Sequence, residues 1–307
     1  MKKSIFLVIA CALLTAVSAM AQPQKVINKD FERFSTVKVQ DNFVVKLTSS
    51  DRYAVRIVCD ERIASHVQAY EKNGILYLIL DEKGYTKELK KQLKQKGAAQ
   101  PALEAEIYMP EIKSLILTDK VLVKSSDEIK SDNFSLTVTD NVKVQDLRIN
   151  CTSADLDFSK SSDVSGAFFS VAEKLALKAS NSSKTAITQS GGKAVLELGG
   201  SAVLDMKSSV HQLEVSASSG AESHIYGTAD NLIVDASSLT RTDVEYLEVQ
   251  NGTVTLSGSA KCYANVSDKL TVNLTGGSML TFKGMPTFII ERVVGSTLIK
   301  ADDPKRK

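Results

Sequence analysis

From about residue 112 to residue 300 the chain repeats a short motif, which constrains its fold more than any other sequence feature. Each repeat opens with the pattern L-x-φ, where φ is an apolar residue. The openings begin at Leu115, Leu136, Leu156, Leu175, Leu196, Leu213, Leu232, Val254 and Leu270. From 115 to 270 there are eight intervals, so the mean period is about 19 residues. That period is too short for helical-pair repeats or propeller blades, and it suits one coil of a β-solenoid.

The chemistry of the repeat explains why a coil would form. The L-x-φ alternation directs two apolar side chains inward and one polar side chain to solvent. Small residues follow most openings, as at Ala179-Ser180, Gly199-Gly200-Ser201 and Gly276-Gly277-Ser278. They allow sharp bends and a close approach of successive coils. Stacked coils share a core, so the two ends need covers. We predict an all-β fold with a parallel β-helix over residues 112–300 and a polar tail over 301–307.

Residues 22–111 differ from the repeats in their sequence pattern. They are predicted to form an N-terminal β-rich region that helps to cover one end of the solenoid. Period-two alternation and β-branched residues indicate strands, at 34–39, 43–47, 53–58 and 75–80. Asn73-Gly74 marks a turn. Ile63, Val67 and Tyr70 are spaced for one face of a short helix.

A Lys-rich segment over residues 85–97 predicts a short helical insertion. Tyr85, Leu89 and Leu93 recur every fourth residue and are surrounded by lysines. One interpretation is a contact with an acidic surface or a lipid headgroup. The favoured interpretation is a solvated helix laid over the sheet by its three apolar residues, because the apolar stripe is short and narrow.

The N-terminus has the features of an export signal over residues 1–21. Two lysines precede an apolar stretch from Ile5 to Val17, and Ala19-Met20-Ala21 supplies small residues for cleavage before Gln22. A transmembrane anchor is disfavoured because the apolar run is short. Lipoprotein processing at Cys11 is also disfavoured, since the apolar run continues past that residue. We expect a protein of the periplasm, the outer-membrane surface or the extracellular space, with no transmembrane segment after cleavage.

Charge and composition exclude several classes of function. Removal of Lys2 and Lys3 with the leader leaves 36 basic and 36 acidic residues, so no global field attracts nucleic acid. Trp is absent, which removes the best stacking residue for sugars or bases. Cys59, Cys151 and Cys262 form no metal-binding spacing and are predicted to be buried free thiols.

No constellation of catalytic residues is recognisable. The three histidines, His66, His211 and His224, lack a metal ligand at suitable spacing and are predicted to be surface or satisfied residues. The chain has no nucleophile elbow, zinc-protease motif, P-loop or dinucleotide fingerprint. No catalytic, cofactor-binding or metal-ligating residue is therefore predicted, and no cofactor.

The order of several loose motifs resembles a known family. Phe34 to Val58 carries F-x-x-V-x-V and then F-V-V-x-L-x-x-S-D-x-Y-x-V-x-I, Ala105 to Pro110 leads into Ser114-Leu115, and Lys283-Gly284-Met285-Pro286 stands near the end. Together with the leader and the coils, this order resembles the head GIN domain family of putative autotransporter adhesins, secreted or envelope proteins common in Bacteroidetes. The resemblance implies a right-handed parallel β-helix with an N-terminal β region of similar construction, and it carries over no catalytic residues.

Two surface features of the repeats leave alternatives open. Carboxylates that could line one face are Asp119, Asp140, Asp155, Asp157 and Asp163. The first two share a repeat position and could form a cation site or a carboxylate pair, but turn-forming Asp is the favoured interpretation. The Ser/Thr-rich coil corners could form a glycan-binding ladder of hydroxyls, although tight corners require small polar residues in any case.

The leading functional prediction is a non-enzymatic exported envelope or surface protein, an adhesin that presents a β-helix face to a macromolecular partner. That partner would be a glycan or a protein at the cell surface, and not nucleic acid. Long solenoid faces bind extended partners without deep pockets. One alternative is a periplasmic structural scaffold that associates through its coil ends. A less favoured alternative is a β-helix enzyme that acts on polysaccharide.

Overall fold

The computed structural model describes residues 23–96 and 99–301. The predicted leader lies outside the described residues, as do residues 302–307 of the predicted tail. Of the described residues 69% are in strands, one segment of them is an α-helix, and together they form a β-solenoid of about nine turns. The predicted all-β solenoid is confirmed. Within residues 23–96 and 99–301, no helix is long and apolar enough to cross a membrane.

The strands fall into an N-terminal group and a repeating group. The first group comprises β1 (Gln24–Phe31), β2 (Thr36–Gln40), β3 (Val44–Ser49), β4 (Tyr53–Asp60), β5 (Val67–Lys72), β6 (Ile75–Leu80) and β7 (Leu103–Met109). The second comprises β8 (Ser114–Thr118), β9 (Leu122–Ser126), β10 (Glu128–Val138), β11 (Lys143–Val144), β12 (Leu147–Phe158), β13 (Asp163–Ala179), β14 (Lys184–Ser190), β15 (Lys193–Leu198), β16 (Val203–Ala217), β17 (Glu222–Ala236), β18 (Arg241–Leu256), β19 (Lys261–Thr275), β20 (Met279–Lys283), β21 (Thr287–Val294) and β22 (Thr297–Lys300). Two 3₁₀ turns (Ala64–His66 and Glu82–Gly84) and helix α1 (Lys87–Leu93) complete the fold.

Two parallel ladders run along the solenoid. Ladder A contains the L-x-φ runs and passes in space through β6, β2, β8, β10, β12, β13, β15, β16, β17, β18, β19 and β21. Ladder B passes through β7, β3, β9, β11, β13, β14, β16, β17, β18, β19, β20 and β22. Strands β13 and β16 to β19 each contribute one segment to each ladder. Leu175 pairs with Ala194 and Ala194 with Leu213, which gives 19 residues per coil at these positions.

Columns of apolar side chains fill the interior of ladder A. In one column Leu196, Val215, Val234, Val254 and Val272 lie in successive coils, each buried. Because strands pair about 4.8 Å apart, each side chain packs on its equivalents above and below. No single coil could bury its own apolar residues, so stability arises from stacking.

The corner that ends each ladder A run uses the left-handed backbone region. Residues with positive φ recur there in coil after coil: Asp41, Asn42, Asp119, Lys120, Asp140, Asn141, Lys160, Ser161, Asn181, Gly200, Ser219, Ser238, Gly258, Gly276 and Gly295. Stacked corners bond through their backbones, as when the Ser201 N–H donates to the Asn181 carbonyl at 2.7 Å. Asn, Asp, Ser and Gly fit this role because their steric or hydrogen-bonding properties make the conformation accessible.

The N-terminal coils are not stacked in chain order. Strands β2 and β3 form a coil that lies between β6 and β7 on one side and β8 and β9 on the other. Outside this stack, β5 pairs antiparallel with β6, β4 pairs antiparallel with β7, and β1 pairs antiparallel with β4. Antiparallel strands therefore lie over the N-terminal end of the solenoid, where a cover is needed.

The helix predicted from Ile63, Val67 and Tyr70 is wrong. Only a 3₁₀ turn at Ala64–His66 forms, and residues 67–72 are strand β5. Asn73 and Gly74 both have positive φ and connect β5 to β6 as a two-residue hairpin. Asn-Gly strongly favours such a hairpin turn, and the pairing that it sets outweighs the weak helical spacing.

Candidate functional site

The structure places Asp119 and Asp140 in stacked turns. Both have positive φ, and the Lys120 N–H donates to the Asp140 carbonyl at 3.0 Å. Asp140 Oδ2 accepts from Thr139 Oγ1 at 3.1 Å and lies 3.4 Å from Lys160 Nζ. These contacts agree with the turn-forming interpretation.

The other carboxylates singled out from the sequence are not brought together with this pair. Asp155 and Asp157 lie on ladder A, whereas Asp163 lies on ladder B beside Lys184. In the part of the chain that the structure describes, no group of three or more His, Cys, Asp or Glu could hold a metal ion.

The histidines and cysteines show no arrangement suited to catalysis. His211 Nδ1 lies 2.9 Å from Asp230 Oδ2 on the surface, and the His66 ring packs edge-on to Tyr85. The three cysteines among the described residues, Cys59, Cys151 and Cys262, are free and buried. Burial raises the pKa of the Cys151 thiol to about 11 and that of Cys262 to about 12, so both stay protonated and unreactive at neutral pH.

The Lys-rich segment forms helix α1, which is shorter than predicted. Its first turn is capped by Thr86 Oγ1, which accepts from the Leu89 N–H at 3.1 Å. Tyr85 and Leu89 are buried against the solenoid core, and the lysines of this segment are exposed. The contacts agree with a solvated helix held by its apolar residues. A cleft of about 730 Å³ lies beside the helix, with Ile63, Leu80 and Leu103 among its lining residues.

The Ser/Thr-rich corners place part of their hydroxyls inside the solenoid. The residue that closes each corner is buried in successive coils: Ser162, Ser183, Ala202, Ala221, Thr240, Ala260 and Ser278. From Ser162 to Ser278 Ala occupies this position as often as Ser, and in the two preceding coils it is occupied by Val121 and Val142, so the position does not require a hydroxyl. The Oγ atoms of Ser162 and Ser183 and Oγ1 of Thr240 are buried without a hydrogen-bond partner. These inward hydroxyls cannot contribute to a glycan ladder.

Ladder B carries an exposed aromatic surface that the sequence analysis missed. Tyr226 and Tyr246 directly precede Gly227 and Leu247, which pair in register, so the two tyrosines belong to neighbouring coils. Tyr246 is 73% exposed and Tyr226 is 48% exposed. We call Tyr226, Tyr246, Tyr263, Arg241 and Lys283 the tyrosine patch. Its sequence signal was the recurrence of tyrosine at intervals close to one coil.

Two cationic side chains lie over aromatic rings of the tyrosine patch. The Arg241 guanidinium lies over the Tyr263 ring, 4.6 Å from its centroid, and Lys283 Nζ lies 5.6 Å from the centroid of Tyr246. Arg241 also donates to Asp243 Oδ2 at 3.2 Å, and Lys283 pairs with Glu245. The patch therefore combines exposed aromatic rings with cations that are fixed by neighbouring carboxylates. Binding surfaces combine apolar area and polar contacts in the same way.

Several solved structures are similar to this chain over most of its length. A crystal structure of a putative adhesin from Parabacteroides merdae ATCC 43184 is similar over 91% of this chain and 96% of that chain, at 12% identity and a TM-score of 0.44. A putative adhesin from Parabacteroides distasonis ATCC 8503 is similar over 91% and 98%, at 14% identity and a TM-score of 0.44. A putative lipid binding protein from the same strain is similar over 91% and 97%, at 11% identity and a TM-score of 0.42. At these TM-scores the similarities add nothing to the argument on function.

No curated protein matches the chain. The family described as "Putative auto-transporter adhesin, head GIN domain" matches at residues 33–184 and 168–286, which together span most of the repeats and the N-terminal coils. The predicted resemblance is thus confirmed, and the chain belongs to this head GIN domain family.

Proposed function

We propose that the chain is an exported, non-enzymatic adhesin that presents ladder B of its solenoid to a macromolecular partner outside the cell. The tyrosine patch is the observation that carries this proposal. Tyr226 and Tyr246 expose large aromatic surface on adjacent coils, and such residues dominate binding energy when a partner covers them. The family description names adhesion, which supports a non-enzymatic role.

The shape of the surface favours a macromolecule over a small ligand. The patch lies on the side of a stacked ladder that spans several coils, from β17 to β20. A solenoid side offers an extended area on which many weak contacts add together. An extended glycan or a protein segment matches this geometry.

A double substitution of the two exposed tyrosines tests the proposal. Beads coated with Tyr226→Ser/Tyr246→Ser protein should bind at least ~10-fold more weakly than wild type to a panel of immobilised glycans and extracellular-matrix proteins, because each covered ring contributes about 1 kcal/mol or more. The folded state should persist, since both side chains point to solvent.

The matched control is Tyr70→Ser, which removes a tyrosine that is 39% exposed on β5, away from the patch. It should bind like wild type. Unchanged binding by the double variant, or equal loss in the control, would contradict the assignment of the patch.

A further inference from the structure

The apolar columns of ladder A end without a cover at the C-terminal end of the described chain. Val272 is fully buried, yet its partner in the last coil, Ile290, is 60% exposed. In the adjacent column Leu274 is fully buried, and its partner Val293 is 37% exposed. Both residues occupy core positions in the register, and they are exposed because no described coil stacks on them.

Outward positions of the last coil are also apolar. Ile289 is 42% exposed, Val294 is 55% exposed and Ile299 on β22 is 42% exposed. Strands β21 and β22 are the outermost strands of their ladders, so their outer backbone edges have no strand partner among the described residues. An apolar strand edge of this kind is a template for pairing with another strand.

The N-terminal end of the solenoid is built differently. Its outermost strands are β1 and β5, whose exposed residues are mostly polar or charged, including Lys25, Lys29, Gln68, Glu71 and Lys72. Charged edge strands resist pairing with another chain. The contrast between the two ends indicates that the C-terminal end is the one that docks onto a partner.

We propose that this end binds a second copy of the chain through antiparallel pairing of β21 with its symmetry mate. The sequence around the centre of β21 reads Ile289-Ile290-Glu291-Arg292-Val293-Val294. A two-fold axis between Glu291 and Arg292 would place Glu291 opposite Arg292 of the second copy, and the reverse. Ile290 would face Val293, and Ile289 would face Val294.

This register satisfies both charge and side-chain orientation. Opposite charges meet at the centre and apolar residues meet on both sides, and cross-strand pairs of these kinds stabilise a sheet. The register shift between β19 and β21 places one extra residue after Ile290. Ile290 and Val293 therefore both pair with inward-facing residues of β19 and both point inward. Directly opposed residues of two antiparallel strands point to the same face of the sheet. In a regular strand Ile290 and Val293, three residues apart, would point to opposite faces. The extra residue puts them on the same face, so that they can pair about this axis. The same surface serves both copies, as in a two-fold dimer.

Sedimentation equilibrium of the purified protein across a wide range of concentrations tests this proposal. Wild type should show a monomer–dimer equilibrium. Ile289→Lys should raise the dimer dissociation constant about 5-fold, because a contact between lysine and Val294 would replace the apolar contact between Ile289 and Val294 at two symmetric positions.

The chain offers a close control for that substitution. Ile233 lies in the same outward column of ladder A as Ile289, linked to it through Thr253 and Thr271, and is 39% exposed. Ile233→Lys adds the same charge to a central coil, so its dissociation constant should equal that of wild type. Equal weakening by both variants would show a general effect of charge and would overturn the proposal.

Charge reversal identifies the register. Glu291→Arg alone and Arg292→Glu alone each place like charges opposite one another at two symmetric positions, and each should weaken the dimer about 5-fold. The double variant Glu291→Arg/Arg292→Glu should recover wild-type affinity, which a merely structural effect would not do. Failure of this rescue would overturn the two-fold register.

If something other than a second copy of the chain covers the C-terminal end of the solenoid, sedimentation gives a different result. A monomer at every concentration would overturn the proposal, and so would open-ended growth beyond the dimer, because it shows head-to-tail contacts. If removal of residues 302–307 converts a monomer into a dimer, the occupant is the chain's own tail, and the proposal is equally overturned.

Discussion

Gly227→Ala is expected to lower the free energy of unfolding by about 3 kcal/mol or more. Gly227 lies at a bulge in ladder B with φ of +121°, a conformation that residues with a side chain rarely adopt. A Cβ there would fall well inside van der Waals contact of the Ser208 carbonyl oxygen in the preceding coil. Since backbone rather than a flexible side chain opposes it, the coils would have to separate locally. Guanidinium unfolding of both proteins gives the difference in stability.

Gly220→Ala is the matched control for that substitution. Gly220 precedes the same strand, its φ lies outside the left-handed region, and the nearest atom to an added Cβ would be the Gly200 carbonyl oxygen at 3.5 Å. This variant should stay within about 0.5 kcal/mol of wild type. Similar losses in the two variants would show that glycine content, and not the bulge geometry, controls stability.

Phe158→Ala is expected to cost about 3–5 kcal/mol. Phe158 is fully buried in ladder A between Val138 and Ala179 of the neighbouring coils. The small Ala179 leaves room for the ring, so truncation opens a cavity that rigid stacked backbones cannot close. The unfolding midpoint in guanidinium should fall sharply.

Phe168→Ala provides the comparison on the outside of the solenoid. Phe168 is 43% exposed and lies under the Arg148 guanidinium, 5.0 Å from the ring centroid. Loss of an exposed cation–π contact should cost about 1 kcal/mol or less. If the two variants lost similar stability, the inward and outward assignment of the strands would be wrong.

The solenoid was predictable because its repeat carries the physical cause of the fold. Period-two alternation at L-x-φ determines which side chains point inward, and the columns that contain Leu196 and Val215 bear this out. The turn-forming role of Asp119 and Asp140 followed from residue type, since Asp tolerates the left-handed region.

The order of the N-terminal coils was not predictable in the same way. Strands β2 and β3 pair with partners on both sides that lie far apart in the chain, and no repeat marks which strand stacks on which. In the segment 63–70, helical spacing competed with the hairpin signal of Asn73-Gly74, and the turn geometry prevailed.

The tyrosine patch was missed because it depends on bulges. The register shift between His224 and Gly227 determines which residues of the two coils align there, so the spacing of the tyrosines alone did not place them on one surface. Overall aromatic content is only 6%, and such an average does not show where aromatic residues are concentrated. Local concentration on adjacent coils, and not the average, is what a binding surface requires.

Two-fold pairing through β21 would strengthen the proposed adhesion. A dimer would carry two copies of the tyrosine patch, and simultaneous engagement of a surface by both copies raises avidity without any new contact. The tyrosine patch lies on ladder B, from β17 to β20, whereas β21 is the last described strand of ladder A, so partner binding and dimerisation can be altered independently.

Accessibility of the solenoid to the outside of intact producing cells is the most direct test of the adhesin proposal. Leu239 is 76% exposed and lies outside the tyrosine patch, while Cys59, Cys151 and Cys262 are buried and should not react. A Leu239→Cys variant treated with a membrane-impermeant maleimide should be labelled on intact cells, and wild type should not. Labelling of the variant only after the cell envelope is opened would contradict a role in adhesion to outside partners.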